Sequence, residues 1–211
     1  MHERALAHLA TADRKLARVI DRVGPCRLRP DRRQSPFQAL VEAVAHQQLN
    51  GKAARTILDR VQALYPGQSF PTPEALLATP DEQLRAAGLS RAKTASVKDI
   101  AARTLEGVVP DTAGLRRLSD DAIVERLIVL RGVGRWTVEM LLIFKLGRHD
   151  VLPVDDFGVR NGFMIAYKKK EMPKPKELAA CGERWKPFRT AAAWYLWRAA
   201  DMHKEAKKKK K

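Results

Sequence analysis

The chain is 211 residues long and 45% hydrophobic, with 12 glycines and 12 prolines. That is enough apolar material to bury a core in one domain, or in two lobes that share one, and it excludes disordered and collagen-like chains. Forty Lys and Arg stand against 24 Asp and Glu, a net charge of +16, so the expected partner is a polyanion, most commonly nucleic acid.

Residues 2–23 carry Leu6, Leu9, Leu16, Val19, Ile20 and Val23 at helical spacing, and Gly24-Pro25 ends the run. Ser35-Pro36 reads as an N-cap followed by proline at the first helical position. The helix it opens runs through Phe37, Leu40, Val41 and Val44 to Gln48, and Asn50-Gly51 breaks it. Residues 53–64 form the next helix, with Ile57, Leu58, Val61 and Leu64 inward. Residues 65–73 are a Pro/Gly-rich connection. Thr79-Pro80 repeats the cap-then-proline pattern before a short helix that Gly88 ends. Helices follow over 90–106 and 119–130. Val108-Val109 and residues 151–154 are too short and too close to proline to read as strands, so the chain is expected to be all-α. Residues 81–100 and 121–141 each read as short helix, Gly-containing turn, longer helix, a pairing that often serves only to build a bundle.

The positive charge is concentrated at the C-terminal end. Residues 166–211 hold twelve Lys and three Arg against four Glu and one Asp, which is +10 of the total. The last five lysines read as a solvated tail that can raise the local concentration of DNA but cannot choose a base. Cys26 and Cys181 are too few for a disulfide framework or a zinc ribbon, and reduced thiols in an intracellular protein are expected. The longest apolar stretch, 138–146, is broken by Glu139 and Lys145 and is too short for a bilayer, and the N-terminus lacks the apolar core of a secretory signal.

Gly132-Val133-Gly134, between two helices, is the most informative stretch. Two glycines one residue apart allow a tight hairpin, and the second helix begins with outward N–H groups and the positive end of its dipole. A phosphate can sit there, on Gly132, Val133, Gly134, Arg135 and Thr137. Carbonyls of the turn could hold a monovalent cation, Na+ or K+, bridging to the same phosphate. A tight turn without ligand is the alternative; the basic, all-helical context and Arg135 favour the phosphate.

This stretch resembles the helix-hairpin-helix (HhH-GPD) DNA glycosylase superfamily, in which the hairpin is followed by a helix, a loop with proline and a catalytic Asp. Here that place holds Val151-Leu152-Pro153-Val154-Asp155-Asp156-Phe157-Gly158-Val159-Arg160. The segments Glu183-Arg184-Trp185-Lys186-Pro187-Phe188-Arg189-Thr190 and Trp194-Tyr195-Leu196-Trp197 are similar to the C-terminal signature of the alkylbase branch, the DNA-3-methyladenine glycosylases II. Residues 35–54, with His46-Gln47-Gln48, resemble that branch's early helix and loop. Longer members carry an extra N-terminal β-rich domain; only 34 residues precede Ser35, so the chain looks like the compact form. The resemblance implies a two-lobed, all-α helical bundle with a DNA cleft between the lobes. One lobe spans about 35–150, the second 1–34 plus 151–206, and 207–211 is a disordered Lys tail. It implies excision of alkylated purines from damaged double-stranded DNA by a monomeric enzyme that works with DNA and not at a membrane.

The same resemblance assigns the chemistry. Cleaving an N-glycosidic bond leaves positive charge on the sugar, and one carboxylate stabilises it and orients water. Asp156 fits, with an aliphatic Val159 three residues on and Trp136 twenty residues before. Asp155 is its neighbour, and either Asp could cap a helix over 157–167. Glycosylases that also nick the backbone place a Lys at the position of Trp136 to form a Schiff base. Trp136 has no amine, and Arg135 stays protonated, so base removal by water alone is expected. Two cysteines also exclude the four-Cys iron–sulfur loop of another branch. Trp136, Met140 one turn later and Trp197 are the expected base pocket, where an aromatic face attracts a cationic base by roughly 0.5–2 kcal/mol. Trp197 could equally be core, as Trp194 is expected to be. Flipping the nucleotide leaves a gap in the duplex; Gln48 or Asn50 could plug it and Leu89 could wedge it, while Gln47 and Gln48 could equally cap their helix. No side-chain metal site is expected.

Overall fold

The computed structural model describes residues 2–209. They form α1 (His2–Ala12), α2 (Arg14–Val23), α3 (Pro36–His46), α4 (Gly51–Ala63), α5 (Pro73–Ala78), α6 (Asp81–Ala86) and α7 (Arg91–Leu105). These are followed by α8 (Thr112–Arg116), α9 (Asp120–Leu127), α10 (Arg135–Leu141), α11 (Phe157–Ala166), α12 (Pro175–Gly182) and α13 (Arg189–Lys208). A π-helical turn, Leu142–Leu146, continues α10, and a 3-10 turn, Glu183–Trp185, follows α12. No strand occurs among the described residues, and the fold is all-α. The chain divides into two compact units, Asp31–Leu146 and the combination of Met1–Pro30 with Gly147–Lys211.

In the unit built from the two ends of the chain, the core gathers Leu9, Leu16, Val159, Phe163, Trp185, Tyr195 and Leu196. Helices α11 and α13 approach to backbone contact: a Cβ on Gly162 would lie 1.9 Å from the carbonyl oxygen of Leu196. The single helix expected over 2–23 is two. Asp13 interrupts it with extended backbone and caps α2, accepting from Lys15 N–H at 3.0 Å and Leu16 N–H at 3.1 Å. Trp194 is partly buried against the core, as expected. Part of the expected lysine tail is helical. Lys207 and Lys208 continue α13, while Lys210 and Lys211 lie outside the described residues.

The Asp31–Leu146 unit begins with the expected cap: Ser35 accepts from Gln38 N–H at 3.1 Å, and Pro36 is the first residue of α3. Asn50 does not merely break a helix but caps α4, accepting from Ala53 N–H at 2.9 Å. The 65–79 region contains an unforeseen helix, α5, capped by Thr72. Thr79 therefore ends α5 rather than capping α6. Its hydroxyl donates to the Ala75 carbonyl at 2.8 Å and lies 2.7 Å from the buried Tyr65 hydroxyl.

Candidate active site

Asp156 ends the loop after Pro153 and is the N-cap of α11. Its Oδ1 accepts two hydrogen bonds, from Val159 N–H at 2.7 Å and from Trp197 Nε1–H at 2.8 Å. Of the two aspartates either of which could cap this helix, Asp156 is the one that does, and Asp155 is exposed beside it. Asp156 itself is half-buried, next to Phe157, which is 67% exposed. Gly158 leaves room for the arrangement. A Cβ there would lie 2.8 Å from Trp197 Cδ1, 3.1 Å from Trp197 Nε1 and 3.1 Å from Asp156 Oδ1. Because α11 and α13 touch at Gly162 and Leu196, helix packing fixes where the Trp197 indole sits. Trp197, expected to present a face to a base, directs its N–H to the carboxylate.

The hairpin lies in the other unit. Gly132 has φ +77°, and a Cβ there would meet Ser96 Oγ at 2.7 Å, so glycine is required twice over. Gly134 is different: φ is −97°, and a Cβ would meet nothing within 4 Å. Open space in front of the first N–H groups of α10 is what an anion needs to approach. Val133 and Thr137 are buried, at 4% exposure each, and Val133 N–H donates to the Leu130 carbonyl at 3.1 Å within the turn. Arg135 is half exposed and lies 3.6 Å from Glu139. Behind the turn, Asp99 accepts Arg131 N–H at 2.8 Å, and the Gln47 amide donates to the Gly132 carbonyl at 2.8 Å. That carbonyl, offered to a monovalent cation by sequence, is engaged by a protein donor.

The gap-filling assignments need correction. Leu89 is only 4% exposed. Gly88 has φ +113°, and Leu89 N–H donates to the Leu84 carbonyl at 3.2 Å, the left-handed helix ending in which the following apolar residue packs back on the helix. Leu89 is therefore core and not a wedge. Asn50 spends its side-chain oxygen on the α4 cap. Gln48 is exposed with φ +59°, at the tip of the loop beside Leu49, which is 39% exposed. Gln47 is the C-cap of α3, its backbone N–H donating to the Val44 carbonyl at 3.3 Å, and the Lys93 ammonium joins it there, donating to the Ala45 carbonyl at 2.8 Å and the Gln47 carbonyl at 2.7 Å. Burial draws the Lys93 pKa down. Lys93 and Asp99 were not foreseen; both sit on α7, far in sequence from what they hold.

Trp136 is 45% exposed at the start of α10. Met140 lines a hollow of about 200 Å3 between α3 and α10, together with Glu42, His46 and Phe144. Among the described residues no cluster of His, Cys, Asp or Glu could hold a metal ion, and no helix is long and apolar enough to cross a membrane.

A hairpin helix, an Asp-capped helix and an all-helical fold define a class. Residues 41–187 match the HhH-GPD superfamily of base excision DNA repair proteins, and the chain belongs to that family. Among its relatives, DNA-3-methyladenine glycosylase 1 of Schizosaccharomyces pombe is 41% identical over 213 residues, 98% of this chain and 92% of the relative. The solved structure of the S. pombe 3-methyladenine DNA glycosylase (Mag1) in complex with abasic DNA superposes with a TM-score of 0.83, covering 92% of this chain and 95% of that one. A DNA-3-methyladenine glycosidase from Bacillus halodurans gives a TM-score of 0.84 at 35% identity, covering 94% and 89%.

Proposed function

We propose that this chain is a DNA glycosylase that excises alkylated purines of the 3-methyladenine and 7-methylguanine type, by hydrolysis and without strand cleavage, as the first step of base-excision repair. The observation that carries this is the Asp156 carboxylate, oriented by a backbone and an indole donor, in a chain 41% identical to a DNA-3-methyladenine glycosylase over nearly its whole length.

In the proposed reaction the C1′–N bond breaks, the bonding electrons leave with the cationic purine and neutralise it, and positive charge develops on the deoxyribose. Asp156 stabilises that charge and orients the water that adds to C1′, and the proton released by that water passes to the carboxylate and on to solvent. With Oδ1 engaged by Val159 and Trp197, the carboxylate is held before the reaction begins and need not reorganise during it. A cationic leaving group requires little protonation, so no general acid is invoked. Trp136 offers no amine for a Schiff base, so the product is an abasic site in an intact strand. In the other unit, the open N-terminus of α10 and the hairpin bind a DNA phosphate, and Gln48 enters the gap left by the flipped nucleotide.

The test is release of free 3-methyladenine from methylated DNA. Wild type releases it and Asp156→Asn does not. A wild type that binds DNA and releases nothing would make the chain a non-catalytic DNA-binding module. Borohydride treatment on an abasic duplex should trap no adduct; an adduct would overturn the hydrolytic reading.

A further inference from the structure

The hollow between α3 and α10 contains a charge that the proposed chemistry leaves unused. It is lined by Leu40, Glu42, His46, Met140, Phe144 and Lys145 among others, and its volume is about 200 Å3. A buried aliphatic, a thioether and an aromatic ring make a soft apolar surface suited to a flat heterocycle. Phe144 and Lys145 are carried by the π-helical turn after α10, a departure from α geometry often found at functional sites.

Glu42 is the carboxylate on this surface. Its orientation is fixed by neutral donors: the Gln34 amide donates to Oε1 at 3.0 Å and Oε2 at 2.9 Å, and the Gln38 amide donates to Oε1 at 3.0 Å. Such donors hold the carboxylate without cancelling its charge. Lys145, the cation on the same hollow, is drawn away from it: its ammonium donates to Gln34 Oε1 and lies 3.6 Å from Asp31. A fixed negative charge in a half-buried apolar setting acts through a lower effective dielectric than one in open water.

We infer that Glu42 makes this hollow selective for a purine carrying positive charge, the state that alkylation at a ring nitrogen creates. The inference deepens the glycosylase reading and rests on it for the identity of the substrate. The charge bookkeeping also says where Glu42 acts. The purine is cationic when bound and becomes neutral as the C1′–N bond breaks, so Glu42 favours the bound cation more than the transition state. It therefore contributes to capture of the damaged base and not to the rate of bond cleavage.

Glu42→Gln keeps the size and removes the charge. Single-turnover excision, with enzyme titrated against duplexes containing 7-methylguanine or the neutral hypoxanthine, separates half-saturation from maximal rate. For 7-methylguanine we expect half-saturation to rise about tenfold with no loss of maximal rate, and for hypoxanthine a change within about twofold in both. Glu42→Asp, which keeps the charge, should recover part of the loss. Equal weakening on both duplexes would mean that Glu42 serves packing alone; a lower maximal rate on 7-methylguanine, or no change at all, would equally overturn the inference. A catalysis-independent arm follows the 13C-methyl signal of Met140 with 7-methylguanosine and with guanosine. Wild type should respond to the cationic nucleoside, and Glu42→Gln should not. If that response holds while wild type excises no base from any duplex, the glycosylase reading fails and the cation site stands.

Discussion

Two aspartates in the same unit perform the same local task and differ in what else they do. Asp13 caps α2 and Asp156 caps α11, each accepting the N–H three residues on. Each also accepts an indole N–H, Asp13 from Trp185 at 3.1 Å and Asp156 from Trp197 at 2.8 Å. Asp13 is 5% exposed and its donors cover both oxygens: Lys15 and Leu16 N–H on Oδ1, Trp185 and the Tyr167 hydroxyl on Oδ2. Burial alone would raise its pKa, but the hydrogen bonds from Tyr167, Leu16, Trp185 and Lys15 outweigh it and hold the group below the usual carboxylate value. Burial and the neighbouring Asp13 push the Tyr167 phenol up in turn. Asp156 is half-buried, accepts from Val159 N–H and Trp197 Nε1–H on Oδ1, and has an exposed Phe157 beside it. A helix cap becomes a structural knot when both oxygens are enclosed. The cap proposed as the reactive group is only half-buried and lies beside an exposed ring.

The sharpest way to break this comparison is the same substitution at both positions. Asn caps a helix as well as Asp. Asp156→Asn should therefore leave the melting transition within about 1 kcal/mol of wild type while base release falls by at least about 10²–10³. Asp13→Asn should show the opposite profile, a lower melting temperature with the rate per folded molecule retained. Equal loss of rate in both variants, measured below their transitions, would erase the distinction between knot and reactive group.

Asp13→Ala goes further, because it removes the cap and leaves the buried Trp185 and Tyr167 donors without their acceptor. We expect a loss of about 2–4 kcal/mol in denaturant unfolding. The pH dependence follows with a definite sign. The folded pKa of Asp13 lies below its ordinary value of 3.8, so its contribution is complete above that value and is lost as pH falls through the folded one. Wild type should lose stability on acidification below about pH 4, and Asp13→Ala should lose less over the same interval. Identical acid slopes would show that Asp13 carries no charge-dependent stabilisation.

The sequence made one of these aspartates legible and hid the other. Asp156 follows a Pro-containing loop and precedes Val159 at the cap spacing, and its surroundings resemble a family motif. Asp13 lies inside an apolar pattern whose helical period continues from Leu9 to Leu16 across the break, so periodicity reads straight through it. Leu89 misled for a related reason. Gly-Leu after a helix is a turn signal, but whether the leucine faces out or packs back depends on the left-handed ending at Gly88. The two hairpin glycines look equivalent in sequence, yet only Gly132 requires a missing Cβ. Lys93 on the end of α3 and Gln47 on Gly132 bridge 46 to 85 residues of sequence. No local pattern carries such contacts; they follow from how the helices pack.

The smallest expected effect is at Gly158, and it tests how the reactive aspartate is held. A Cβ there would press on the indole of Trp197, a rigid ring that cannot yield as a flexible chain end would, and on Asp156 Oδ1. Gly158→Ala should therefore displace the indole donor, slowing excision about tenfold, the scale of one charge-assisted hydrogen bond. Affinity for abasic DNA, which has no glycosidic bond left to break, should be little changed. Trp197→Phe deletes the donor outright and should slow excision to a similar degree. The decisive measurement is the double variant. If Gly158 acts through the indole, Gly158→Ala adds little once Trp197 is Phe, and the two effects are strongly non-additive. Additive losses would place the role of Gly158 elsewhere, in the backbone of α11.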